Sequence, residues 1–217
     1  MINSRFGLQK WMRPIATAIV CVASAMSLQG CFEMFVGSAV VGTFAASDRR
    51  TLGAQTEDRS IMIKGEMRAS DVVGERGHVN VASFNRKVLL TGEVQDEQMK
   101  AAVEREITGI EGVKSVANEL EIAGPSSFTS RASDSLITSK VAASFFDAKD
   151  LFANSFKIVT EHGTVFLMGR VTPREGDRAA EIASGISGVQ RVVKVFEYIS
   201  EDDLKRLTNA PQPTQSR

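Results

Sequence analysis

The chain has 217 residues, with 26 Lys and Arg against 26 Asp and Glu, and it is 43% hydrophobic and 24% charged. Balanced charge argues against a nucleic-acid partner, and a near-average composition argues for folding over most of the length rather than disorder. Two His, two Cys, one Trp and one Tyr leave few groups for nucleophilic or ligand chemistry, so no enzyme, no metal and no cofactor is expected.

The chain opens as an export signal. Arg5, Lys10 and Arg13 precede an apolar run from Pro14 to Leu28, too short for an ordinary membrane span but suited to the h-region of a signal peptide. Leu28-Gln29-Gly30-Cys31 then sets a small residue before a cysteine, as in a bacterial lipobox. Residues 1–30 are therefore expected to leave and Cys31 to become a lipidated N-terminus. The alternative is ordinary secretory cleavage with Cys31 kept as a thiol. Its only cysteine partner, Cys21, lies inside the h-region and is lost with it. Phe32 rather than Asp follows the cysteine, which by analogy with lipoprotein sorting points to the outer membrane. Acyl chains, at about 0.8 kcal/mol per buried methylene, hold such a protein there.

Residues 31–56 read as the lipidated cysteine, an apolar stretch from Phe32 to Ala46 broken by Gly37 and Gly42, and a polar linker that begins at Ser47. An uncleaved, kinked anchor over residues 15–46 is the competing reading, which the lipobox disfavours.

Beyond the linker the chain repeats itself. Laying Val79–Val94 over Phe156–Val171 at a constant offset of 77 residues aligns Val88 with Val165, Leu90 with Leu167, Gly92 with Gly169 and Val94 with Val171. Each block is two β-rich runs joined by a polar tip, Asn85-Arg86 or His162-Gly163, and reads as a β-hairpin. His162 is on this reading a turn residue rather than a ligand. The glycine late in each second strand suggests a bulge or a close backbone approach.

A helix follows each hairpin. Thr172, Pro173 and Glu175 make a capping box with Pro at the first helical position, and Ala179, Ile182, Ala183 and Ile186 form the core face. In the first copy Asp96 is the expected cap, with Met99, Val103, Ile107 and Ile110 on one face. Gly109 and Gly112, matched by Gly185 and Gly188, offer left-handed turns to stop these helices. A third strand runs to Ile122 in one copy and to Ile199 in the other.

A helix also precedes each hairpin. In the second copy Ser135–Phe146 carries Ile137, Val141 and Phe145 as a core stripe, with Asp134 or Ser133 as the expected cap. In the first, Ser60–Ala69 holds Gly65, which costs about 1 kcal/mol relative to Ala, and a weak or shortened helix is expected. The fold class is α+β: two tandem α-β-β-α-β domains, each with helices packed on a small three-stranded mixed sheet. They occupy residues 57–123 and 132–200, with a linker at 124–131 and a disordered tail at 201–217.

The two Val-x-Leu-x-Gly-x-Val hairpin ends and the two Gly-Val-x-x-Val entries to the last strand resemble the BON domain, a family of osmotically induced periplasmic proteins and envelope lipoproteins. Leu28-Gln29-Gly30-Cys31, Val40-Val41-Gly42-Thr43, Asp48-x-Arg50-x-x-Gly53-x-Gln55 and Val165-Phe166-Leu167-Met168-Gly169 look like family members that carry two BON domains behind a lipid anchor. The resemblance implies a lipid-anchored protein of the outer membrane's inner leaflet that faces the periplasm, is in some relatives enriched at the division site, and supports envelope integrity. It also implies that the first helix of the second domain contacts anionic phospholipid.

On that helix Leu136, Ser139, Lys140, Ala143 and Phe146 are the candidate phospholipid-binding residues, able to bring apolar groups and a cation into the headgroup layer. Relatives carry Trp at the position of Leu136, so this chain lacks that aromatic anchor. Ile137, Val141 and Phe145 read most simply as core. Residues 57–122 hold 9 bases and 13 acids, and residues 131–199 hold 9 bases and 8 acids, so the second domain suits an anionic surface better. Arg131, Lys140, Lys149 and Lys157 are its candidate cations. The alternative function is an adaptor for an envelope protein or peptidoglycan. Catalysis has no support: neither His78 nor His162 sits in a nucleophile pattern, and Glu104 with Glu106 is a solvated pair.

Overall fold

The computed structural model describes residues 48–209; the expected signal peptide 1–30, Cys31, the segment 32–46 and the end of the expected tail, 210–217, lie outside them. The first unit is α1 (Leu52–Val73), β1 (His78–Phe84), β2 (Lys87–Val94), α2 (Glu97–Thr108), β3 (Ser115–Asn118) and β4 (Glu121–Ile122). The second is α3 (Phe128–Asp147), β5 (Phe156–Glu161), β6 (Thr164–Val171), α4 (Pro173–Ser184) and β7 (Arg191–Tyr198), followed by α5 (Glu201–Asn209). The expected α-β-β-α-β order is present twice, and both sheets are mixed. Each hairpin is antiparallel, and the last strand of each unit runs parallel to the hairpin's second strand, which is therefore central. In the first unit that last strand is split: β3 and β4 both pair with β2, and Leu120 turns into the core between them.

Local chemistry explains most boundaries. Thr172 and Glu175 close the capping box of α4, and Asp96 accepts from Met99 N–H at 2.8 Å to start α2. Both hairpin tips hold two residues at positive φ, Asn85 and Arg86 in one and His162 and Gly163 in the other, as a two-residue primed turn requires. Gly92 and Gly169 make the close approach expected of them, to the carbonyl oxygens of His78 and Ser155.

Several expectations are corrected. α1 is neither weak nor short: it runs 22 residues from an N-cap at Thr51. Gly65 is needed there, because a Cβ would stand 2.8 Å from Val81 Cγ1, so its absence lets the helix lie close on the sheet. α3 begins at Phe128, capped by Ser127, so Ser133 and Asp134 are interior and the linker ends sooner than 131. Gly109 and Gly185 end their helices with right-handed φ, and only Gly112 and Gly188 carry the left-handed turn. Finally, residues 201–209 are helical rather than part of a disordered tail. Ser200 Oγ accepts from Asp203 N–H at 3.0 Å, and three acids fill the first turn, where the helix dipole favours them.

Each sheet is covered on both faces. Val88, Leu90 and Val94 of β2 point toward α1 and α2, and Val165, Leu167 and Val171 of β6 toward α3 and α4. The residues between them point the other way. Leu89, with Ala82 and Phe84, meets Phe166, Met168 and Val195 in a third core, so the two sheets pack face to face and the layers run helix, sheet, sheet, helix. Asn80 Nδ2 donates to Glu161 Oε2 at 2.8 Å and Lys87 Nζ to Phe196 O at 3.0 Å across this contact.

The stretch expected to be a polar linker is a strap over both units. Arg49 pairs with Glu175 and donates to Arg170 O at 2.9 Å in the second unit. Arg50 donates to Asp58 at 2.9 Å and lies 4.1 Å over the Phe84 ring in the first. Asp58 is buried on α1, where it also accepts from Ser83 Oγ and from the backbone N–H groups of Asn85 and Arg86, each at 2.7 Å. Asp134 does the same for the second hairpin, accepting from His162 N–H at 3.0 Å and Gly163 N–H at 2.8 Å.

Candidate membrane-contact surface

α3 divides cleanly into two faces. Ile137, Val141 and Phe145 are buried against the second sheet, as their spacing implies. Leu136, Ser139, Lys140, Ala143 and Phe146 are all exposed, and their spacing places them on the opposite side of the helix. Leu136 and Phe146 are each 64% exposed, unusually high for large apolar side chains. The structure thus brings the five candidate residues onto one surface.

It also adds residues that sequence reasoning missed. Phe128, 82% exposed, falls within the stretch read as a linker and extends the same face toward the helix start. Phe152, 60% exposed, follows the helix end. It joins Phe145, Phe146, Leu151, Ala153 and Asn154 around a shallow cleft of about 160 Å³. Finding Phe128 from sequence required taking Ser127 as the cap, with Ser130 N–H 3.1 Å from its hydroxyl.

Electrostatics separate this face from its counterpart in the first unit. α3 holds two acids: Asp134, buried on the hairpin tip, and Asp147, exposed as the last helical residue. On α1, by contrast, Glu66 and Asp71 are exposed beside Ile63 and Met67. Arg131 and Lys140 are exposed and lie roughly half a turn apart around α3, flanking the apolar stripe. Lys149 is exposed just beyond the helix. Lys157 does not join them. It sits on β5 against the first unit, with Nζ 3.4 Å from Ser83 O and 3.9 Å from Met62 Sδ. Burial there pushes its ammonium below the ordinary lysine range, and the nearby charge of Arg50 adds to the effect.

No helix among the described residues is long and apolar enough to cross a membrane. The exposed side of α3 is a stripe of about three turns in which Leu136, Ala143 and Phe146 stand between Arg131 and Lys140.

The BON domain pattern matches residues 57–124 and 133–200. The chain is 35% identical over 190 residues to the outer membrane lipoprotein DolP of Haemophilus influenzae, covering 87% of this chain and 98% of that one. It is 29% identical to the 21 kDa hemolysin of Actinobacillus pleuropneumoniae, over 70% of this chain and 79% of that one. The osmotically-inducible protein Y of Escherichia coli is also 29% identical, over 52% of this chain and 58% of its own.

Proposed function

The chain belongs to the BON-domain family, and from that premise we propose that it is a non-catalytic lipoprotein of the outer membrane. It faces the periplasm, supports envelope integrity and rests the α3 face of its second domain on anionic phospholipid. The likeness to a DolP over nearly the full length of both chains supports the location. The observation that carries the lipid contact is the exposed face of α3, where Phe128, Leu136 and Phe146 are flanked by Arg131 and Lys140 and Asp147, the last helical residue, is the one exposed acid. Apolar area supplies the attraction to the bilayer, and each cation near an anionic surface contributes about 1 kcal/mol.

Anchoring through Cys31 holds the protein at the membrane irrespective of this contact, so the test uses the fragment 48–217, which lacks the anchor. That fragment is expected to float with vesicles containing phosphatidylglycerol, less so at high salt, and not with neutral vesicles. Absence of flotation on either vesicle overturns the lipid contact and leaves the adaptor function in its place.

A further inference from the structure

Away from the α3 face, Glu93 near the end of β2 is fully buried, at 0% exposure, and neither of its carboxylate oxygens has a hydrogen-bond partner. A buried carboxylate without a hydrogen bond is costly, and among the described residues the only group that stands against this one is an imidazole. His162 Nε2 lies 3.0 Å from Glu93 Oε1, but out of line for a hydrogen bond. Glu161 completes the group: one ligand atom from each of Glu93, Glu161 and His162 lies within 4.8 Å of the other two.

The surroundings hold these groups as ligands are held. Asn80 Nδ2 donates to Glu161 Oε2 at 2.8 Å, fixing that carboxylate while leaving its other oxygen free. Glu121 Oε2 stands 3.2 Å from His162 Nδ1, the outer-shell carboxylate that orients a metal-bound imidazole through its far nitrogen. The hairpin tip is itself held by Asp134 through the N–H groups of His162 and Gly163. His78, the cross-strand neighbour of Glu93, has a second buried and unpartnered atom, Nδ1.

We propose that Glu93, Glu161 and His162 form a divalent-metal site, with zinc as its cation, that clips the two BON domains together. Glu93 comes from the first domain and Glu161 and His162 from the second, so the ion bridges the sheet contact. Two carboxylates and a neutral imidazole balance a doubly charged cation. Zinc takes imidazole nitrogen and carboxylate oxygen at about 2.0–2.2 Å, which in a tetrahedron sets ligand atoms roughly 3.4 Å apart. The mixed nitrogen and oxygen donors favour zinc over calcium or magnesium, which take oxygen. Nothing in this site depends on the lipid contact.

The test is titration of the full lipidated chain in detergent with zinc chloride, following heat release and thermal unfolding. One zinc per chain and a rise in Tm of several degrees are expected, with little response to calcium or magnesium at the same concentration. Glu161→Gln keeps an oxygen for Asn80, and His162→Asn keeps a residue that tolerates the left-handed turn. Each is expected to weaken zinc binding at least tenfold. No saturable binding, or unchanged affinity in both variants, overturns the site. X-ray absorption at the zinc edge of the unmutated chain provides a readout that does not depend on the variants folding. A first shell of nitrogen and oxygen with an imidazole supports the site, and a shell without imidazole overturns it.

Discussion

Arg49 faces Glu175 with two guanidinium N–H groups on two carboxylate oxygens, at 2.8 and 2.6 Å, across 126 residues of sequence. Both side chains are nearly buried. Glu175 also accepts from Thr172 N–H as half of a helix cap, so one carboxylate fastens α4 to its own start and to the strap that leads from the N-terminal segment. Burial opposes the charge on Glu175, but the hydrogen bonds from Arg49 and Thr172 and the Arg49 charge outweigh it and hold the carboxyl below the ordinary glutamate range.

Replacing Arg49 by Ala is therefore expected to cost about 2–4 kcal/mol in urea unfolding, because the buried carboxylate loses its charged partner. The same pair sets an acid dependence. A carboxyl whose folded pKa is depressed contributes stability above its ordinary value near 4.3 and loses it as pH falls below that. Stability of the unmutated chain should drop more steeply than that of Arg49→Ala as pH is lowered from about 5. Parallel curves would show that the pair carries no linkage.

The two hairpin pins make an internal comparison. Asp58 accepts from two backbone N–H groups, Ser83 and Arg50, whereas Asp134 accepts from two backbone N–H groups alone. Asp58→Ala is expected to cost about 3–5 kcal/mol and Asp134→Ala about 2–3, both measured by denaturant midpoint. The reverse order would mean that the Arg50 and Ser83 contacts contribute nothing.

Lys157 spends its charge in a place where burial disfavours it. Lys157→Met, similar in length and apolar, is expected to leave stability unchanged or raise it by about 1 kcal/mol. Because the folded pKa is lowered, the unfolded chain binds the extra proton, and stability of the unmutated protein rises with pH toward the ordinary lysine value near 10.4. The gap between the two proteins should therefore narrow from pH 7 to pH 10, and a gap that stays constant would count against this account.

On the α3 face, Lys140→Glu is expected to weaken vesicle binding of the 48–217 fragment roughly tenfold, and Phe146→Asp to reduce it at least as much. Neither should shift thermal unfolding, since both side chains are exposed. Leu136→Trp should strengthen binding, because an indole ring suits the headgroup level. Equal flotation of all four proteins would remove α3 as the contact.

Much of this architecture is legible in the sequence because its determinants are local. The capping box at Thr172, the Asp96 cap, the stripe of Ile137, Val141 and Phe145, and the two-residue hairpin tips all act within a few positions. The exposed residues of α3 follow from the same helical spacing. Other features need distances that spacing does not contain. Gly65 reads as a helix breaker until Val81 is seen against it, and Arg49 reads as linker because its partner is far along the chain. Two signals were present and informative. Val88-Leu89-Leu90 and Val165-Phe166-Leu167-Met168 are unbroken apolar runs, the mark of strands covered on both faces. Ser200 and Asp203 stand three apart, the spacing of a helix start, ahead of what reads by composition as a tail.

The face-to-face contact of the sheets joins equivalent positions of the repeat: Leu89 and Ala82 of the first unit and their counterparts Phe166 and Val159 of the second all belong to it. The tandem is thus a dimer written into one polypeptide, with its subunit interface supplied at an effective concentration set by a short connection rather than by expression level. Severing the chain at Gly124-Pro125 would not liberate two autonomous modules but two protomers, each presenting a bare apolar sheet and each dependent on meeting its counterpart.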